Sequence, residues 1–336
     1  MKSTINKICL ILIVVFSFFY LGINRYTLKI NGNYKNLTND SIKINEKIFI
    51  IYKNEQKLNI FNLSQELIPD YVYNPIKCRK SAVFIVSTLL CVHNVENDIH
   101  VSGQIMNNGA WETHLLSPFT NYIKDNPDWL VLDVGAQIGQ YSLFAAAMGR
   151  KVVTVEPFHD NILRIHKAAY LEKTYKNILL IKNAISNKRN EIKLLKAERS
   201  NIGGQSLLDH KDKIFKKDKN NKYLVETILF DDIVPYLPYK NDTTKERFKK
   251  AILKIDIEGF EPFAFEHASL LFDVLDIRII YMEWGNLPKQ TNEYNKIQAM
   301  IDFLYLRNYQ AFGDNNYLEK SNWTSWPWDI IWKKKL

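Results

Sequence analysis

One stretch limits this chain more than any other: Val131-Leu132-Asp133-Val134-Gly135-Ala136-Gln137-Ile138-Gly139. An apolar run from Trp129 to Leu132 ends in an acid. A turn with two glycines follows, and then a helical pattern from Ile138 to Met148. A strand, a tight turn and a helix in that order open an α/β domain with its ligand at the turn. Glycine at such a turn permits positive φ and close approach of a ligand to the backbone. The spacing is acid-x-Gly-x-x-x-Gly, with Gln137 where a dinucleotide fingerprint would carry its second glycine.

An acid before the turn suits a ligand that brings no phosphates, and S-adenosylmethionine fits that description better than a pyrophosphate. Alone, the pattern also fits an ordinary strand-turn-helix corner. Lys151-Val152-Val153-Thr154-Val155-Glu156-Pro157 narrows the choice. An acid about 20 residues beyond the glycine turn is placed to accept hydrogen bonds from ribose hydroxyls, and Glu156 stands there. A second informative site is Lys254-Ile255-Asp256-Ile257-Glu258-Gly259, at the carboxyl end of an expected central strand. Ligands of open α/β sheets bind at such ends. Carboxylates and a lysine there are costly to bury unless they pair or do chemistry. Asp256 is read as functional, and Glu261 as an acid favouring a helix N-terminus.

The 336 residues are 46% hydrophobic and 24% charged, a globular rather than disordered composition. Much of the +9 net charge is local, in the lysine-rich stretch 210–219 and in 333–335. With acids interleaved, the first cluster reads as a solvated loop. No pattern of aromatics suited to base stacking occurs, so nucleic acid is not an expected partner.

Ile8 to Ile23 is almost wholly apolar, with Lys2 and Lys7 before it and Arg25 after it. As a helix it spans about 24 Å, which matches a thin early secretory bilayer. It is read as an uncleaved signal anchor, with residues 1–7 cytoplasmic and the body lumenal. A cleaved signal peptide, giving a secreted protein, is the rival reading. Cys78 and Cys91 flank a strand-like segment, Ser81 to Leu90, and either pair or remain buried thiols. Sequons stand at Asn36, Asn39, Asn62, Asn241 and Asn322.

Residues 24–75 are expected to form a stem and N-terminal extension, polar and Asn-rich to about Asn45. Strand candidates follow at Lys47–Tyr52 and Leu58–Phe61. A domain of 76–336 has its core at 105–333. Trp111 to Ile123 reads as a helix. Strands are expected at 129–133, 152–156, 177–181, 251–256 and 277–283, and helices at 161–172, from 256 through 271, and at 293–306. Such regular alternation marks a parallel sheet covered by helices. The interval 189–229 is irregular, with Asn201-Ile202-Gly203-Gly204 as a flexible turn. Tyr309–Phe312 and Asp329–Trp332 read as a terminal hairpin.

Taken in order, Asp133 to Gly139, Val155-Glu156-Pro157, Asn183-Ala184 and Lys254 to Gly259 resemble the motifs of FkbM-type methyltransferases. Glu112, Asn201 to Gly204, Leu229 to Asp232 and Met282-Glu283-Trp284 resemble its membrane-anchored animal members. The resemblance implies a class I methyltransferase (Rossmann-like) fold: seven strands, the last antiparallel, with helices on both faces. It also implies S-adenosylmethionine as methyl donor and an oxygen nucleophile. Carried onto this chain, it has Gly135 and Gly139 making room for the methionine part of the cofactor and Asp133 supporting the loop. Glu156 would hold the ribose, Asn183 and Ala184 would lie by the adenine, and Glu112 would close the amino-acid end. Gln137 stands where the family commonly has Asn. Asp256 is the expected base, with Glu258 or Glu283 as substitutes. Oxygen ligands suit a divalent cation, but no spacing demands one. His114 and His166 read as structural or exposed.

The function expected is that of a membrane-anchored Golgi or ER O-methyltransferase acting on a sugar hydroxyl of a glycan. A non-catalytic lumenal scaffold and a nicotinamide-dependent oxidoreductase are the competing readings.

Overall fold

The computed structural model describes residues 56–335 except 199 and 315, and four strands before them. Those four form two antiparallel hairpins, Tyr26–Ile30 with Asn33–Leu37 and Ser41–Ile44 with Lys47–Ile50. The apolar run Ile8–Ile23 lies outside the described residues. Among the described residues no helix is long and apolar enough to cross a membrane.

A compact unit extends from Gln56 to Leu336. Its centre is a sheet of seven principal strands: β1 (Leu130–Val134), β2 (Val152–Val155), β3 (Ile178–Ile181), β4 (Lys250–Ile255), β5 (Asp276–Glu283), β6 (Tyr309–Gly313) and β7 (Asp329–Lys334). Their spatial order is 3-2-1-4-5-7-6. The first five run parallel, and β7 runs antiparallel to both β5 and β6. That is the class I methyltransferase arrangement, with the final hairpin returning into the sheet. Two short edge strands enlarge it to nine: Ile60–Phe61 against β3 and Asn316–Tyr317 against β6. Residues 56–75, expected in the extension, therefore belong to this unit in part through Ile60–Phe61.

Every residue of β1 and β2 is buried, as strands covered on both faces must be. On one face Val131, Val152, Ile252 and Tyr281 pack with helices α1 (Thr113–Asp125), α2 (Gln140–Ala147) and α3 (His159–Leu171). Alternation sends Leu130, Leu132 and Ile280, all fully or almost fully buried, to the opposite face.

Four local expectations fail. Ser81 to Leu90 is mostly a loop. The strands are Lys77–Lys80 and Leu89–Val92, which pair so that Cys78 faces Cys91, and the two form a disulfide. The irregular interval contains a small sheet, Ala184–Ile185 beside Leu224–Ile228 beside Ile192–Leu194. The supposed flexible turn is strand Asn201–Ser206, paired with Lys196–Glu198. A single helix from 256 through 271 is instead two short ones, α4 (Glu261–Phe265) and α5 (Ser269–Val274); helix α6 (Tyr294–Leu306) follows β5.

Candidate active site

The carboxyl ends of the parallel strands open into a cavity of about 830 Å³, a size suited to a small-molecule site. Glu112, Asp133, Gly135, Gln137, Glu156, Asn183, Ala184, Asp256 and Glu258 all line it. Gly139 does not. Its φ is +81°, and an added Cβ would lie 2.8 Å from Cγ1 of Ile165 on α3. This glycine permits helix-on-helix packing rather than making room for a ligand.

The loop after β1 is held by its own amides. Gly135 and Ala136 N–H groups donate to Val155 O (2.9 and 3.2 Å), and Gly139 N–H donates to Ala136 O. Gln137, at φ +52°, donates its N–H to Glu156 Oε2 at 2.7 Å. Few amides therefore remain to cradle a pyrophosphate, and no arginine lines the cavity among the described residues. A cationic ligand without phosphates fits this donor set; a dinucleotide does not. Gly135 has φ +77°, and a Cβ there would lie 1.8 Å from the Asp256 carbonyl oxygen. The residue must be glycine so that the loop can lie against the end of β4.

Asp133 is buried and turned toward α2, where its Oδ2 accepts Ser142 N–H (2.9 Å) and Oγ–H (2.5 Å). Burial raises its pKa to about 6, against the pull of Ser142 and Lys254. Glu156 accepts Phe158 N–H at 2.8 Å through its other oxygen. Burial drives it up to about 8, opposed by hydrogen bonds from Phe158, Asn161 and Gln137. Asn183 has a structural role, accepting from Asn59 N–H and donating to Glu226 O. Its side chain joins the edge strand to the small sheet, and one amide N–H and one carbonyl lone pair remain beyond these two bonds. Glu112, at φ +47° before α1, accepts the Tyr141 hydroxyl proton at 3.2 Å. Gln137 Nε2 reaches Asn201 Oδ1 at 3.3 Å, which ties the loop to the second wall.

Strand register assembles the far end of the cavity. Lys254 lies opposite Asp133 on β1 and Tyr281 on β5, while Ile255 faces Met282. One residue further on, Asp256 and Glu283 leave adjacent parallel strands side by side. Lys254 is buried, and its Nζ is 3.0 Å from Asp256 Oδ2. Burial opposes its charge, but Asp256, Glu112 and Asp329 outweigh that, so its pKa rises and it stays protonated. Glu283 is buried, with Asn286 donating to its carboxylate at 3.1 and 3.3 Å. Desolvation and then Asp256, Glu258 and Glu261 push its pKa well up. Carboxylate oxygens of Asp256, Glu261 and Glu283 all lie within 4.8 Å of one another.

Two site residues were noticed in the sequence but given no site role. Lys254 carried a signal: a lysine inside the buried run Ile252 to Ile255 must find a partner. Glu261 was read as a helix-end acid, and it does accept Ile257 N–H at 2.8 Å, yet its carboxylate also joins the cluster. His166 is structural, bonded to Tyr73 and Gln65, and His114 is exposed near Asp329.

Comparison with known proteins adds an independent line. The profile of the methyltransferase FkbM domain matches residues 133–311, just over half the chain. No curated protein matches the sequence. Among solved structures, the O-methyltransferase of Bacillus cereus, in complex with SAH, is 12% identical with a TM-score of 0.35, over 65% of this chain and 79% of that one. The O-methyltransferase TomG of Streptomyces achromogenes, in complex with SAM, is 9% identical with a TM-score of 0.39, over 67% and 82%. WbdD is 12% identical with a TM-score of 0.39, over 70% of this chain; the chain spans 44% of WbdD.

Proposed function

This chain belongs to the FkbM methyltransferase family, and from that premise we propose that it methylates a hydroxyl oxygen of a glycan in the lumen of the secretory pathway. As a methyltransferase dependent on S-adenosylmethionine, it takes that cofactor along the loop after β1. Glu156 holds the ribose hydroxyls, using lone pairs beyond those spent on Gln137 and Phe158. Ala184 and the backbone of Asn183 lie by the adenine, and Glu112 closes the amino-acid end. Asp133 acts from beneath, bracing the start of α2 through Ser142.

The observation that carries oxygen transfer is the meeting of Asp256 and Glu283 at the end of the cavity. A hydroxyl is a weak nucleophile, and a carboxylate in reach of its proton improves it. Bound S-adenosylmethionine would supply an activated methyl group, its S–CH₃ bond breaking as the O–CH₃ bond forms, and the carboxylate would take the hydroxyl proton. Lys254 fixes Asp256 in position. The lumenal setting draws support from the Cys78–Cys91 disulfide, since such bonds persist in oxidising compartments. The apolar run Ile8–Ile23, read as a type II signal anchor of the Golgi or ER, and the sequons agree with it.

The test is transfer of labelled methyl from S-adenosylmethionine to glycoprotein glycans. Asp256→Asn is expected to lower turnover by about 10²-fold while cofactor binding persists. Undiminished turnover would remove Asp256 from the mechanism, and label found only on nitrogen would overturn the oxygen assignment.

A further inference from the structure

We propose that Asp256, Glu261 and Glu283 form a binding site for a divalent, oxygen-seeking cation of the Mg²⁺ or Mn²⁺ class, at the acceptor end of the cavity. Each carboxylate offers an oxygen, and the three oxygens lie within 4.8 Å of one another. Around an ion with ligands at about 2.1 Å, neighbouring oxygens stand about 3.0 Å apart and opposite ones about 4.2 Å. Oxygens as much as 4.8 Å apart exceed that span by about 0.6 Å, so the carboxylates close by up to that amount to share one coordination sphere. All-oxygen, carboxylate-rich sets select hard cations over zinc or copper.

An independent observation comes from Glu261. It is fully buried, and its Oε2 has no hydrogen-bond partner among the described residues. A buried carboxylate oxygen without a partner is costly. As the first residue of α4, Glu261 spends only Oε1, on the Ile257 N–H. Its demand for positive charge is not met by Lys254, whose ammonium sits on Asp256 Oδ2. Asp256 keeps Oδ1 beyond that pair. Glu283 is bonded by the Asn286 amide, which orients the carboxylate without neutralising it.

The three protein oxygens leave three positions of a six-coordinate ion open. Two adjacent hydroxyl oxygens of a sugar would take two of them and water the third, so the site favours acceptors with vicinal hydroxyls. That acceptor role rests on the oxygen-transfer reading above; cation binding does not.

The test is titration of the full-length chain in detergent with Mn²⁺ alone, read by loss of the six-line paramagnetic resonance signal of the free ion. One equivalent is expected to bind with a dissociation constant of about 10⁻³ M or tighter. Glu261→Gln should weaken it at least about tenfold, and Glu283→Gln likewise, with cooperative unfolding retained as the check of fold. If one variant does not fold, the other decides. Mn²⁺ that stays free at millimolar concentration would overturn the site in favour of a proton-sharing carboxylate cluster. Binding unchanged in the folded variants would overturn it too, by locating the ion elsewhere. Binding as expected, with methyl transfer only to acceptors lacking hydroxyls, would leave the site standing and remove the oxygen-transfer reading.

Discussion

Replacing Gly135 by alanine should cost far more than the same change at Gly149, although the two share a backbone conformation, φ +77° and +76°. The left-handed conformation alone costs about 1–2 kcal/mol for a residue with a Cβ. At Gly149 nothing lies within 4 Å of that Cβ, so this is the whole expected loss. At Gly135 the Cβ would meet the Asp256 carbonyl oxygen at 1.8 Å and its carbon at 2.7 Å, both backbone atoms. The loop must retreat by roughly 1.6 Å to reach an ordinary contact, since packed interiors give little room. That movement parts Gly135 and Ala136 from Val155 O, or Asp256 N–H from Val134 O. Each buried group left unmet costs about 1–3 kcal/mol. With two such groups, Gly135→Ala should lose about 3–8 kcal/mol in all. Urea unfolding of both variants measures the difference, and S-adenosylmethionine affinity should fall for Gly135→Ala alone. Equal losses at the two positions would refute the claim that this glycine exists to seat the loop on the end of β4.

Further outcomes follow from the same geometry. Glu156 has a folded pKa of about 8 against an ordinary value of 4.5. Between those pH values the native state holds a proton that the unfolded chain releases, so its contribution makes stability fall as pH rises, by at most about 1.4 kcal/mol per pH unit. Glu156→Gln should flatten that slope in pH-dependent unfolding. A cationic cofactor favours the ionised form, so calorimetric affinity for S-adenosylmethionine should rise from pH 6 to 8 in the parent and less so in the variant. The disulfide closes a loop with a sequence separation of 13; Cys78→Ala with Cys91→Ala should cost about 3 kcal/mol in urea unfolding and leave cofactor affinity within about twofold. Lys254→Met strips Asp256 of its buried partner, which costs about 3–5 kcal/mol where both charges are fully buried. With the carboxylate partly exposed, about 2 kcal/mol is the expected loss in the same assay.

The elements readable in advance were those fixed by local pattern. The buried runs of β1, β2, β4 and β5 are mostly apolar on both faces, so each appears as an apolar block, broken by Thr154 in β2, Lys254 in β4 and Arg278 in β5, with an acid at or next to its end. Parallel alternation with helices then dictates that Asp133, Glu156, Asp256 and Glu283 come to one edge of the sheet. What local pattern cannot carry is the partner of each side chain. Asn183 lines the cavity, and its amide is also bonded to Asn59 and Glu226, 124 and 43 positions away, which no local pattern shows. Gly139 looks like part of the ligand loop until Ile165 is brought against it. Gly203 and Gly204 read as a turn because glycine usually breaks strands. Here they are strand residues whose missing side chains admit Gln137, Asn201 and Glu258. Glu261 satisfies a helix-end rule with one oxygen, and only the fold reveals where the other stands. The segment 81–90 has strand-like composition, yet the pairing of Cys78 with Cys91 leaves only Leu89 and Leu90 in a strand and makes 81–88 the connection between two.

The central claim is that the cavity at the ends of β1, β2 and β4 takes S-adenosylmethionine. Calorimetric titration of the full-length chain in detergent with S-adenosylmethionine, beside NAD⁺ under the same conditions, tests it most directly. One saturable site is expected for S-adenosylmethionine and no saturation by NAD⁺, because the loop amides are spent and the lining is acidic. A folded chain that gives no heat with S-adenosylmethionine, or that binds NAD⁺ more tightly, would contradict it.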